Sequence, residues 1–131
     1  MSGPNRLLML IGTLYGALGV IMAALAGHAM PGSTLGPGAQ FLMIHAAALI
    51  ALGVALETGL VAEQVGRIGA YLLLGGTALF SGDMAVRAFL HMPLFPMAAP
   101  IGGFLMIGGW LLSGWAILTA PCKRNEPPPS E

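Results

Sequence analysis

Apolar residues fall along the chain in four long runs, at about 7–30, 39–61, 68–90 and 99–120, separated by short polar or proline-rich breaks. Each run reaches about 20 residues, the length that carries a helix across a hydrocarbon core about 30 Å thick. None alternates with the period of two that a barrel strand needs, and in lipid only helices and closed barrels satisfy their own backbone. The pattern predicts an all-α fold: an integral membrane four-helix bundle over residues 1–121. The remaining stretch, 122–131, is polar and proline-rich, a composition that predicts a disordered tail.

The breaks suggest an orientation. The connector "PGSTLGPGAQ" (31–40) has no charge, and "HMPLFPMAAP" (91–100) has no Lys or Arg and three prolines that cannot continue a helix. The middle connector, "ETGLVAEQVGR" (57–67), holds Glu57, Glu63 and Arg67. Arg6, Arg67, Lys123 and Arg124 then share one side, so the positive-inside rule predicts both termini on the cytoplasmic side of a bacterial inner, or cell, membrane. A rival reading takes Arg6, the first apolar run and "ALA" at 24–26 as a signal peptide cleaved before Gly27, but the run is long for that purpose.

Composition narrows the class further. Hydrophobic residues make up 56% and charged residues 8%, against roughly 25% charged in a soluble domain, and mean hydropathy is +0.85. Such a chain cannot build an ordinary solvated surface. Net charge is zero and no basic run exists, so no nucleic-acid partner is expected. The single cysteine, Cys122, excludes an intramolecular disulfide and a cysteine metal site. Glycine, at 20 residues, suits closely approaching membrane helices. Gly12, Gly16, Gly19, Ala23 and Gly27 fall within a band of about 80° on the first helix, at about 100° per residue. Gly109 and Ser113 form a small-xxx-small pair on the fourth. These are candidate helix-packing faces, more readily within one bundle than across a dimer, since every bundle needs packed faces.

The chemistry lies in "LFSGDMAVRAFLH" (79–91), which places Asp83 and Arg87 four residues apart in an apolar run. That spacing puts both on one side of a helix and lets them pair. An unpaired charge at this depth costs about 2.5–3.5 kcal/mol on insertion scales, and intramembrane charges usually face a bundle interior. His28, His45 and His91 fall at the same outer depth, giving a candidate intramembrane polar cluster of His28, His45, Asp83, Arg87 and His91, with His45 as the expected neighbour of the ion pair across helices. A hydrogen-bonded structural clamp is the favoured reading of this cluster. Two histidines on separate helices are also a donor set of the kind that holds a haem, but no other feature accompanies it, and no cofactor or metal is assigned.

The motifs "GALGVIMAALAGHAM", "QFLMIHAAALIALG", "LFSGD" and "APIGGFLMIGGWLLSGW" occur in the order found in one family of small membrane proteins. Over about Gly12 to Trp115 the chain resembles domain-of-unknown-function family 423, which includes the animal proteins called transmembrane protein 256. The resemblance implies four membrane helices with the first retained, and it brings no established activity. The chain departs from the family pattern in having Gly27 directly before His28, and in the charges at Asp83 and Arg87, where many members have small or apolar residues.

With no extramembrane domain and no nucleophile–base set, the expected function is that of a non-enzymatic accessory or stabilising component of a membrane complex. The alternative is a small oligomeric transporter or channel using Asp83, Arg87 and His45. The expected surroundings are the lipid bilayer and either other membrane subunits or further copies of the chain.

Overall fold

A computed structural model describes residues 1–122. Four helices follow one another: α1 (Gly3–His28), α2 (Leu35–Glu57), α3 (Glu63–Leu90) and α4 (Ala98–Leu118). All four are long and apolar enough to cross a membrane. The polar tail expected from 122 onward lies, apart from Cys122, outside the described residues.

The helix ends depart from the apolar runs for local reasons. Pro4 sits in the first turn of α1, where its missing N–H and fixed φ are tolerated, so α1 starts at Gly3. Helix α3 starts at Glu63, before the apolar run, and its first turn is braced by Glu63 and Arg67 at 2.8 Å, an i,i+4 pair. Polar helical turns therefore extend the span into the interface, where hydropathy alone does not follow them. Between α2 and α3, Gly59 adopts φ 68°, a left-handed turn conformation that glycine enters without a Cβ penalty.

Packing divides the bundle into two tight hairpins, α1–α2 and α3–α4, joined through α2 against α3. Small residues set both hairpins. A Cβ at Gly12 would lie 3.0 Å from the Ala46 carbonyl oxygen, and one at Gly19 would lie 2.6 Å from Met43 Cγ. In the second hairpin a Cβ at Gly76 would lie 2.8 Å from the Gly102 carbonyl, and one at Gly102 would meet the Gly76 carbonyl at 2.8 Å. Backbones approach this closely only without side chains between them, and in lipid such contact replaces the hydrophobic effect as the force joining helices. Gly109 faces Gly69 and Leu73, and Ser113 donates to the Gly109 carbonyl at 2.7 Å, so both belong to the α3–α4 seam. Gly16 has more room, with Ala46 Cβ at 3.7 Å, and at Gly27 nothing lies within 4 Å. The α1 stripe thus grips α2 along its middle and ends before Gly27.

Tyr15 ties α1 to α3 by donating to the Leu74 carbonyl at 2.7 Å. Leu8 of α1, Leu49 of α2 and Leu73 of α3 are fully buried in the core. Leu7, Leu10, Leu14 and Ile21 of α1 and Phe104, Leu111 and Leu118 of α4 are exposed. On a soluble protein these would form aggregation-prone patches; in a bilayer they meet solvent of their own kind.

Candidate functional site

At one end of the bundle the α1–α2 connector and the α3–α4 turn come together. Asp83 and Arg87, one helical turn apart on α3, form an ion pair with Arg87 Nε 2.6 Å from Asp83 Oδ2. The second carboxylate oxygen accepts the Leu94 backbone N–H at 2.7 Å. Asp83 is fully buried, whereas the Arg87 side chain is 37% exposed. The acid therefore has two functions in the architecture. It neutralises the arginine within one helix, and it holds the proline-rich turn down over the helix ends. The turn itself needs help: His91 (φ 55°) and Met97 (φ 70°) both adopt left-handed backbone, which costs non-glycine residues energy. A charge-assisted bond to the Leu94 amide offsets that strain.

Neighbouring hydroxyls fasten the same end. Thr34 donates to the Met84 carbonyl at 2.6 Å, and Ser81 donates to the Gly38 carbonyl at 2.9 Å. Both bonds join α3 to the start of α2. They release no polar group into the bundle interior, and their acceptors are backbone carbonyls already built into helices.

His45 lies elsewhere. Its Nδ1 is 2.8 Å from the Phe41 carbonyl, and Trp110 Nε1 donates to its Nε2 at 3.2 Å. Together these contacts select the tautomer with the proton on Nδ1, since a carbonyl accepts and the indole N–H donates. Phe41 and Trp110 also flank the ring, with centroids at 6.0 and 5.9 Å. The expectation that His45 neighbours the ion pair is corrected: both ring nitrogens are engaged between α2 and α4, and both Asp83 oxygens are engaged by Arg87 and Leu94. His91 lines the same cleft as Arg87, whereas His28 is exposed at the end of α1 and absent from that lining. The five candidates therefore divide into one ion pair with His91 beside it, a separate histidine–tryptophan clamp, and an exposed histidine.

A second polar node closes the opposite end. Glu57, the last residue of α2, accepts from Asn5 Nδ2 at 2.8 Å and from the Ser2 N–H at 3.1 Å, with the N-terminal ammonium at 3.4 Å. Beside it the Ala62 N–H reaches the Ala116 carbonyl of α4 at 2.8 Å. Sequence reading identifies Glu57 only as an acid of the middle connector, because its partners lie at the distant N-terminal end of the chain. Trp110 is missed for the same reason, although an indole N–H near a membrane histidine is a recognisable donor–acceptor combination.

Among the described residues no group of three or more His, Cys, Asp or Glu is placed to hold a metal ion. Charged groups gather at the two ends; the span between them holds the His45–Trp110 clamp, glycine contacts and Thr77, whose buried hydroxyl has no hydrogen-bond partner among the described residues.

Four apolar spans with polar nodes at their ends define a small multi-pass integral membrane protein. The family described as "Protein of unknown function (DUF423)" matches residues 15–103, and the chain belongs to it. The UPF0382 membrane protein SH2409 of Staphylococcus haemolyticus is 29% identical over 114 residues, covering 82% of this chain and 91% of the relative. The UPF0382 inner membrane protein YgdD of Escherichia coli K12 is 26% identical over 116 residues, covering 82% of this chain and 86% of the relative. The UPF0382 membrane protein SSP2132 of Staphylococcus saprophyticus is 26% identical over 114 residues, with 82% and 92% coverage. No solved structure matches the chain. The four spans and the inner-membrane and membrane names of these bacterial relatives place the protein in the bacterial inner, or cell, membrane.

Proposed function

We propose that the protein is a non-enzymatic accessory or stabilising component of a membrane complex, oriented with both termini on the cytoplasmic side. The observation that carries this reading is the use made of Asp83. Both its oxygens are engaged, one by Arg87 of its own helix and one by the Leu94 amide. A carboxylate serving a transported ion or proton needs an open path to it, and this one has no exposed surface and instead fastens a turn. His45 is likewise held on both nitrogens. The small-residue seams are occupied within the protomer, which leaves the outer faces of α1 and α4, rich in large apolar side chains, to meet lipid or a partner helix. The orientation follows from Arg6, Arg67, Lys123 and Arg124 on one side of the membrane.

Purification from native membranes in a gentle detergent, followed by mass analysis of the intact assembly, tests the reading. Stoichiometric co-purification of another integral membrane protein is the expected result. Recovery of the chain without a partner, together with ion or solute flux in reconstituted vesicles that Asp83→Asn abolishes, would replace it with the transporter reading.

A further inference from the structure

Beside the ion pair lies a cleft of about 540 Å³, lined by residues 29–34 of the α1–α2 connector and by Arg87, Ala88 and His91 of α3. We propose that this cleft binds a phosphate group, presented by a phospholipid headgroup or free in solution.

Four features of the cleft converge on that chemistry. Arg87 uses only Nε toward Asp83, and among the described residues its two terminal nitrogens have no protein partner. The carboxylate behind it fixes the guanidinium plane, so the open edge of the fork is preorganised in the way that favours a tetrahedral oxyanion over a single-point contact. Ser33 lines the same cleft, and its hydroxyl oxygen is buried without a hydrogen-bond partner among the described residues. A buried hydroxyl without a partner carries a desolvation penalty that an anionic acceptor removes. Helix α2 begins at the cleft, and its N-cap residue Thr34 makes no capping bond, having given its hydroxyl to the Met84 carbonyl. The positive end of the α2 dipole therefore stays unscreened by its own cap. Finally, among the described residues no acidic residue lines the cleft.

The obvious objection is that Asp83 cancels the charge of Arg87. The arrangement of the pair answers it. Asp83 is fully buried and also accepts the Leu94 amide, whereas Arg87 is partly exposed at the cleft wall. The negative end of the pair points inward and the positive end outward. An incoming anion thus meets donors without meeting the carboxylate. The location also fits, because the cleft is formed by helix ends and a connector, the level at which headgroup phosphates lie against a spanning protein.

The test is native mass spectrometry of the delipidated protein in detergent. It is titrated with phosphatidylglycerol and, separately, with diacylglycerol of the same chains, which lacks the phosphate. Phosphatidylglycerol should bind about tenfold more tightly, the effect of one good charge-assisted contact. Ser33→Ala should reduce that preference several-fold. The double variant Asp83→Asn with Arg87→Gln, which keeps a neutral amide pair, should abolish it. Arg87→Lys keeps the ion pair but removes the open fork, and its loss of preference carries the test should the double variant fail to reach the membrane. Displacement of the lipid by millimolar inorganic phosphate, in wild type alone, would identify the free anion as a ligand in its own right. Failure of phosphate to compete, with the wild-type preference intact, would assign the site to the headgroup. Equal affinity for the two lipids, or a preference untouched by Ser33→Ala and Arg87→Lys, would overturn the proposal.

Discussion

Replacing Arg87 with alanine leaves the Asp83 carboxylate with a single donor, the Leu94 amide at 2.7 Å, in a site with no solvent exposure. Stranding one member of a buried pair typically costs about 3–5 kcal/mol. The lower end applies here, because Asp83 lies about 10 Å from the end of α3 and beneath a turn that can open to water. Asp83→Ala has a different cost. Arg87 is already 37% exposed and regains hydration, so the loss is chiefly that of the charge-assisted bond and of the acceptor for Leu94, about 1–3 kcal/mol. The double alanine variant removes both charges and leaves only the Leu94 amide unpaired, again about 1–3 kcal/mol. The single effects therefore sum to more than the double effect, with a coupling of about 3 kcal/mol, and Arg87→Ala is the most damaging of the three. Unfolding free energies from reversible denaturation in mixed micelles measure all four corners of the cycle. Coupling below about 0.5 kcal/mol would refute the pairing, and a milder Arg87→Ala than Asp83→Ala would refute the assigned burial asymmetry.

Gly76→Ala should destabilise by about 1–3 kcal/mol, because its Cβ would meet the Gly102 backbone carbonyl at 2.8 Å, and backbone yields less readily than a side chain; thermal unfolding in detergent checks this. Gly27→Ala, with nothing within 4 Å, should stay within about 0.5 kcal/mol of wild type in the same assay, and a large loss there would extend the α1 seam beyond Gly19. Trp110→Phe should cost about 1 kcal/mol by leaving His45 Nε2 without its donor, and it should not change the Asp83–Arg87 coupling, since the two nodes share no hydrogen bond. A reporter fused after Glu131 should be active only in its cytoplasmic form; activity of the periplasmic form would reverse the orientation drawn from Arg6, Arg67, Lys123 and Arg124.

Much of this protein is determined by features local to one helix. Hydrocarbon thickness and the 1.5 Å helical rise convert apolar run length directly into a span, so four runs mean four helices. The Asp83–Arg87 pair is legible because both members lie on one helix, where i,i+4 spacing sets their geometry whatever the rest of the chain does. The glycines of α1 are legible as a face for the same reason. Everything that joins two helices was decided by the tertiary structure. Sequence depth placed His45 beside the ion pair, but depth is one coordinate of three. The close approach at Gly12 and Gly19 and at Gly76 and Gly102 fixes how each helix is rotated, and that rotation turns His45 toward Trp110. The second ligand of Asp83 was equally hidden, since Leu94 offers a backbone N–H, a group every non-proline residue carries and no side-chain pattern marks. Periodicity reports what a helix presents, whereas the partner it meets depends on packing angles set by contacts distributed along the whole bundle.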